Sequence, residues 1–460
     1  MWGLKKKALQ AKSETVKYVY DRFSVCPSEK TDTLSAAESR NCDCRGGKLT
    51  TGIGMEYYAK GDRTFALLQP NMPTRLYCVQ KKLVKDESGL ERYKTAISYM
   101  TKQGDVRMYD DANAEFASVG VCDPATAVTS FLCFDKIAIT AWANKNGVRC
   151  LSVGEAFSDT DLSAAKGVIC SFHHRLFVAK DPYTVVYSDP VDPRVFHESL
   201  DGSGEITFPS AFGEIVGLQP LGERLYVFFE YAIFRLEAKG AATEFKTAQL
   251  YYDGGKIFMG SIGACGDGIF FLTDHGARRF DGRTEKSERI GSGLDLQPLD
   301  NGQICYHATH GNTFFLRFED GGKGMRTVAF DSAGESGYDT FDVDGLSESE
   351  SIAFGTWNGA VGVLSEKGAL PDGETYRFAT GALRFGSVKP KTLKRLRFFG
   401  KGSFLLQVVC GDRTVEKSVE IENGDTMVEL KEKAECFFLR FELQKGTELT
   451  GLIAEIERLT

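Results

Sequence analysis

Arg224-Leu-Tyr-Val-Phe-Phe-Glu-Tyr-Ala-Ile-Phe-Arg-Leu236 reads as two short aromatic strands around a polar turn. Apolar residues stand at nearly every position, so both faces of such a hairpin need cover. One period later Gly268-Ile-Phe-Phe-Leu-Thr-Asp-His-Gly-Ala-Arg-Arg-Phe-Asp-Gly282 repeats the form. Arg175-Leu-Phe-Val-Ala-Lys-Asp-Pro-Tyr-Thr-Val-Val-Tyr-Ser188 precedes the pair, and Asn312-Thr-Phe-Phe-Leu-Arg-Phe with Arg326-Thr-Val-Ala-Phe330 follows it.

Weaker copies extend the series. They begin at Arg63 (with Arg75-Leu-Tyr-Cys-Val), Lys94 (with Asp105-Val-Arg-Met-Tyr), Lys136 (with Gly147-Val-Arg-Cys-Leu) and Ile352 (with Ala360-Val-Gly-Val-Leu). The starts near 63, 94, 136, 175, 224, 268, 312 and 352 are spaced by 31 to 49 residues. A period near forty is that of a four-stranded propeller blade. Radial stacking buries both faces of every sheet, which a lone sheet cannot do. If terminal half-blades combine to close the ring, eight motifs become seven blades, with six to eight allowed. The expectation is therefore an all-β fold with a β-propeller over 55–383.

Flanking segments differ. After Lys389-Pro390-Lys391, strands such as Ser403-Phe-Leu-Leu-Gln-Val-Val-Cys410, Val415-Glu-Lys-Ser-Val-Glu-Ile421 and Cys436-Phe-Phe-Leu-Arg-Phe-Glu-Leu443 crowd together, which predicts a small antiparallel β-sandwich over 384–460. Residues 1–54, with a Cys26-Pro27 step and a polar stretch from Ser28 to Asp43, read as a partly extended arm that orders against a partner.

The composition agrees with this plan and excludes several classes. The chain has 460 residues, 42% of them hydrophobic, enough for a real core and too many for intrinsic disorder. It carries 33 Phe, 17 Tyr and 49 Gly against 12 Pro, the profile of aromatic strands punctuated by tight turns. Net charge is −7, so a global basic footprint for nucleic acid is missing. Apolar runs such as Leu225–Phe229 fall far short of the roughly 20 residues of a membrane-spanning helix. No apolar stretch follows Lys5-Lys6-Lys7, so synthesis and folding in a cytoplasm are expected. Cys78, Cys133, Cys150, Cys170, Cys305, Cys410 and Cys436 stand singly in strand-like runs, which predicts buried free thiols.

Few residues suggest chemistry, and no catalytic residue, cofactor site or metal site is assigned. Gly-x-Ser-x-Gly, Walker, dinucleotide and His-Glu-x-x-His motifs are all missing. His307 and His310 lie three apart on a strand-like run, where alternation sends them to opposite faces. His173 and His174 are adjacent on another such run and diverge likewise. Cys42 and Cys44, with Cys26 upstream, lack the second clamp of a zinc site. Asp339, Asp342 and Asp344 before Gly345 resemble the start of a calcium loop, but Ser351 stands where a bidentate Glu is needed, so a solvated acidic turn is the better reading. Asp159, Asp161 and Asp192 read as turn residues. Arg384, Lys389, Lys391, Lys394, Arg395, Arg397 and Lys401 form a basic run without an acid. It suits either DNA or an acidic partner, or else a lysine-protected edge strand.

The order of motifs from Gly167-Val-Ile-Cys-Ser-Phe-His-His-Arg-Leu-Phe-Val-Ala179 through Val185-Val-Tyr-Ser-Asp-Pro-Val-Asp-Pro193, Gly217-Leu218, the 224–236 hairpin, Gly260-Ser-Ile-Gly263 and Gly268–Phe280 is similar to that of the tail accessory, or nozzle, proteins of short-tailed bacteriophages, also called packaged-DNA stabilisation proteins. The resemblance covers roughly 160–300; the first fifty residues have no counterpart in it. It implies a virion component made in the host bacterial cytoplasm, a homo-oligomeric ring, usually hexameric, below the portal and adaptor. Such a ring closes or extends the DNA exit channel for ejection, without catalysis and without gripping the DNA. Other classes fit the residues too: a tail-tip protein of a long-tailed phage, a carbohydrate-binding propeller, or a glycan-processing one with paired carboxylates in the central channel.

Overall fold

The computed structural model describes residues 13–25, 33–57, 59–60, 63–64, 76–85, 88–101, 103–110, 115–121, 127–133, 137–144, 146–152, 157–197, 202–238, 245–303, 305–349, 352–357, 360–422 and 424–459. Cys26-Pro27, residues 28–32 of the polar stretch, the strand at 65–68 and Ser351 lie outside them, as do the side chains of Cys78 and Cys133. The chain divides into two compact units, one of residues 53–335 and 341–371, the other of 1–52, 336–340 and 372–460.

The larger unit is a β-propeller. Among the described residues seven four-stranded antiparallel sheets follow one another along the chain, here called blades 1 to 7. Their first strands are Leu76–Lys85, Ala127–Cys133, Ile169–Phe172, Ile215–Leu221, Gly263–Cys265, Tyr306–His310 and Gly345–Ser349. Each first strand neighbours the next, and the seventh returns to the first, so they form a closed inner ring. The fourth strand of blade 7 is Gly54–Tyr57, which pairs with Ala360–Ser365 in the register Met55↔Leu364. Ring closure thus joins the start of this unit to its end.

Alternation explains the motif that opened the reading. On Arg224–Phe229, Leu225, Val227 and Phe229 enter the core between blades 3 and 4 with Phe177 and Val185. Tyr226 and Phe228 point the other way, into the core between blades 4 and 5 with Ile269, Phe271 and Phe280. Phe270 and Leu272 then meet Phe314, Leu316 and Phe318 of blade 6. The second strands of blades 3, 4 and 5 each serve two cores at once, and each buried Phe contributes roughly 2–3 kcal/mol. Two ionic clasps add to this. Glu285 receives Arg224 at 2.8 Å and Arg235 at 2.8 Å, tying blade 5 to blade 4. Within blade 6 the almost fully buried pair Arg326–Asp320, at 2.8 Å, is completed by the carbonyls of Leu294 and Asp295.

The smaller unit is built on one strand of 20 residues, Lys391–Cys410. Its first half lies between Asp425–Ala434 and Glu448–Leu459, and its second half between Arg413–Ile421 and Phe438–Leu443. The turn of direction falls at Gly400 and Gly402, with φ of 141° and 92°, where a side chain at Gly400 would strike the Glu448 carbonyl. Phe398 of the first half then stacks edge-on against Phe404 at 5.1 Å and Phe441 at 6.0 Å, so the two sheets close over one core.

The expected boundaries 1–54, 55–383 and 384–460 need correction. Ser13–Tyr20 is a full strand on Glu448–Leu459, and Thr33–Arg40 pairs with Tyr376–Thr380, so the described part of the supposed arm is woven into the smaller unit. That unit already resumes at residue 372. Alternating Val16, Tyr18 and Tyr20 carried this signal, whereas Thr33–Arg40 is too polar to show it. The unit expected at Arg63 is also no blade of its own: Leu76–Lys85 pairs with Glu91–Met100 inside blade 1.

Candidate functional site

A cavity of about 170 Å³ opens inside the ring of first strands. Val128, Val168, Val216, Leu218, Met259 and Leu346 supply much of its apolar wall, and these residues come from the inner strands of blades 2, 4 and 7 and from the segments that lead into blades 3 and 5. Tyr306, His307, Ser347 and Glu348 supply the polar part of the lining. Inner strands of a propeller run side by side, so one residue from each reaches the axis, and residues far apart in sequence converge there.

Glu348 is the penultimate residue of the inner strand of blade 7. Its Oε2 accepts the backbone N–H of Thr309, in blade 6, at 2.8 Å. Burial pushes its carboxyl up to about 7, against the pull of the Thr309 hydroxyl and N–H. Thr309 is itself fixed, its hydroxyl donating to the Ala264 carbonyl of blade 5 at 2.8 Å. His307 lies on the same strand as Thr309, with Nδ1 at 2.8 Å from the Gly260 carbonyl, so Nδ1–H donates and Nε2 is left as an acceptor. Burial lowers its pKa and keeps the ring neutral. Among the described residues no Lys or Arg lines the cavity.

Of the residues singled out by sequence, Cys305 and His307 line this cavity, together with Gly167, Gly217, Leu218 and Gly260 of the motif series. His310 stands at the far end of the same strand, opposite Thr313, as alternation requires. His173 and His174 are not strand residues. They form the two-residue turn between Phe172 and Arg175, at φ of 46° and 62°. The equivalent turns of blades 4, 5 and 6 begin with Gly222, Gly266 and Gly311, at φ of 60°, 62° and 57°, so His173 occupies a left-handed position that glycine fills elsewhere. Cys42 and Cys44 are buried free thiols, and among the described residues no three His, Cys, Asp or Glu gather as metal ligands. Asp342 accepts the Thr327 N–H at 3.0 Å, and the Asp344 N–H bonds the Thr356 carbonyl at 2.7 Å. Asp159 pairs with Arg149 at 2.7 Å, Asp161 accepts two backbone N–H groups from Phe196 and His197, and Asp192 holds Arg194 through both oxygens.

From Lys391 to Lys401 the basic run is neither an edge strand nor an open basic face. Lys394 pairs with Glu457, Arg395 with Glu455, Arg397 with Asp425 and Lys401 with Glu448, while Lys391 donates to the carbonyls of Ser387 and Glu435. Charges that look unopposed along the chain are opposed across the sheet.

No protein-family model and no curated protein matches the chain. Among solved structures it is similar to PorZ, a bacterial surface component of the type-IX secretion system of Porphyromonas gingivalis (13% identity, TM-score 0.40, 75% of this chain). It spans 46% of the length of that PorZ chain. It is also similar to the WD40 repeats of RRP9 (12% identity, TM-score 0.41, 68% of this chain and 99% of that one). A third is the extracellular domain of the one-component system BT4673 from B. thetaiotaomicron (9% identity, TM-score 0.43, 92% of this chain and 62% of that one).

Proposed function

We propose that the protein is a structural component of a short-tailed bacteriophage tail, a nozzle subunit that assembles as a homo-oligomeric ring, hexameric by the family's habit, and closes or extends the DNA exit channel below the portal and adaptor. The observation that carries this reading is the order of motifs over 167–295, which fall in sequence on blades 3, 4 and 5. Two further features support it. The smaller unit gathers strands from residues 13–52 and 372–460 into one body, which suits a module that contacts neighbours in an assembly. Pairing of the basic run with carboxylates, together with a net charge of −7, suits a surface past which DNA slides without being gripped.

The protein acts in this reading by assembly and not by catalysis, and its place is the virion. The test is to purify particles of the encoding phage and quantify the protein against the portal by mass spectrometry. A copy number in simple proportion to the portal supports the proposal. Absence from particles, or hydrolysis of a glycan by the isolated protein, overturns it in favour of the carbohydrate-binding or glycan-processing class.

A further inference from the structure

We propose that the axial cavity of the propeller is a binding site for a small organic monocation, an ammonium group carried on an apolar body about the size of a benzene ring, with Glu348 as its counter-charge. Three observations converge. First, the volume of about 170 Å³ fits such a body, since an apolar cavity of about 150 Å³ in another protein takes up benzene. Second, Val168, Val216, Leu218, Met259 and Leu346 give about half of the wall an apolar surface against which the body of such a ligand can pack, while the polar half carries Glu348. Third, among the described residues the lining holds one carboxyl, that of Glu348, and no basic side chain.

The polar groups are placed for recognition. Thr309 N–H fixes Glu348 through Oε2, so the carboxyl cannot swing out to solvent without giving up that bond. His307 is held by the Gly260 carbonyl with its remaining nitrogen an acceptor, suited to receive an N–H and unable to repel a cation while neutral. A bound ammonium would thus meet a carboxylate and an acceptor, and its apolar portion would meet the valine and leucine side chains. An anion would be repelled by the Glu348 carboxylate. A neutral molecule of the same shape would gain the apolar contacts and nothing from Glu348.

The experiment titrates the full-length protein at pH 8 with benzylammonium, followed by isothermal calorimetry and by ligand-observed NMR, with benzyl alcohol and benzoate as controls. Saturable one-site binding of benzylammonium is expected, with benzyl alcohol about tenfold weaker or worse and benzoate not binding. Glu348→Gln, which keeps an acceptor for Thr309 N–H, should weaken benzylammonium about tenfold or more while leaving benzyl alcohol unchanged. Val128→Phe, which fills the cavity from blade 2 and leaves Glu348 in place, should abolish binding of both. Circular dichroism checks that each variant is folded. Equal affinity of the wild type and Glu348→Gln for benzylammonium, failure of Val128→Phe to affect binding, or no saturable binding at millimolar ligand each overturns the proposal. None of these outcomes bears on particle incorporation, so the two proposals fail separately.

Discussion

Replacing Glu348 with Gln should change how stability depends on pH by a calculable amount. In the unfolded chain this carboxyl titrates near its ordinary 4.5, and burial in the cavity raises it to about 7 in the native protein. A raised carboxyl favours the native state while it is protonated. Its stabilising contribution is therefore complete below pH 4.5 and is lost as the pH climbs through 7. The gap between the two values corresponds to about 3 kcal/mol as an upper figure, at about 1.4 kcal/mol for each tenfold. Glutamine stays neutral and keeps the acceptor for Thr309 N–H, so it carries no such dependence. His307 faces the same cavity and loses stability in the opposite direction, as pH falls below its unfolded value, but it is present in both proteins and cancels in the comparison. The assay is equilibrium urea unfolding of both proteins, followed by tryptophan fluorescence, from pH 5 to pH 9. The stability of Glu348→Gln relative to wild type should rise by roughly 2–3 kcal/mol across that window and level off above pH 8. Parallel curves, or a difference that shrinks with rising pH, would refute the burial of this carboxyl.

Other substitutions probe the frame around the cavity. Asp320→Ala strands the Arg326 guanidinium among carbonyls inside blade 6 and should cost about 3–5 kcal/mol in urea unfolding, whereas Asp320→Leu with Arg326→Met should recover most of it; a loss under 1 kcal/mol for the single variant would contradict the pairing. Glu285→Ala removes the acceptor shared by Arg224 and Arg235 and should lower stability by about 1–3 kcal/mol, with hydrogen exchange quickening first in the strands of blades 4 and 5. His173→Gly puts in place the residue that the equivalent turns use and should stabilise the protein by about 1 kcal/mol; a destabilised variant would mean that the His173 side chain, which lies 4.0 Å from the Phe172 ring, contributes more than its backbone costs. Thiol reagent should react slowly with native protein, since burial pushes Cys150 and Cys305 up to about 12, and should find close to the full twelve thiols after denaturation without reductant; four or fewer would show disulfides.

What the sequence displayed was governed by burial. Second strands such as Arg224–Phe229 and Gly268–Thr273 are dry on both faces, so their aromatic runs stand out and set the period. Outer strands such as Lys246–Gln249 and Lys286–Arg289 face solvent, carry almost no apolar residue and were invisible as strands. The closing strand Gly54–Tyr57 and the strands Ser13–Tyr20 and Thr33–Arg40 were missed for another reason: they pair with strands more than 300 residues away, where no local pattern points. The candidate site was nearly illegible. Glu348 sits in Ser347-Glu348-Ser349-Glu350, which looks like a polar surface turn, and only the ring geometry places it in the lining of the cavity. The basic run misled in the converse way, since its carboxylate partners lie on strands 28 to 63 residues further along the chain. His173-His174 misled because a tight turn with left-handed backbone is normally announced by Asn or Gly.

Electron cryo-microscopy of the encoding phage's particles, reconstructed along the tail without imposed symmetry, tests the central claim most directly. The account predicts propellers of this size arranged as a six-copy ring at the distal side of the portal and adaptor, encircling the DNA path. A map in which the protein is absent, or in which it sits as single copies away from the tail axis, would contradict it.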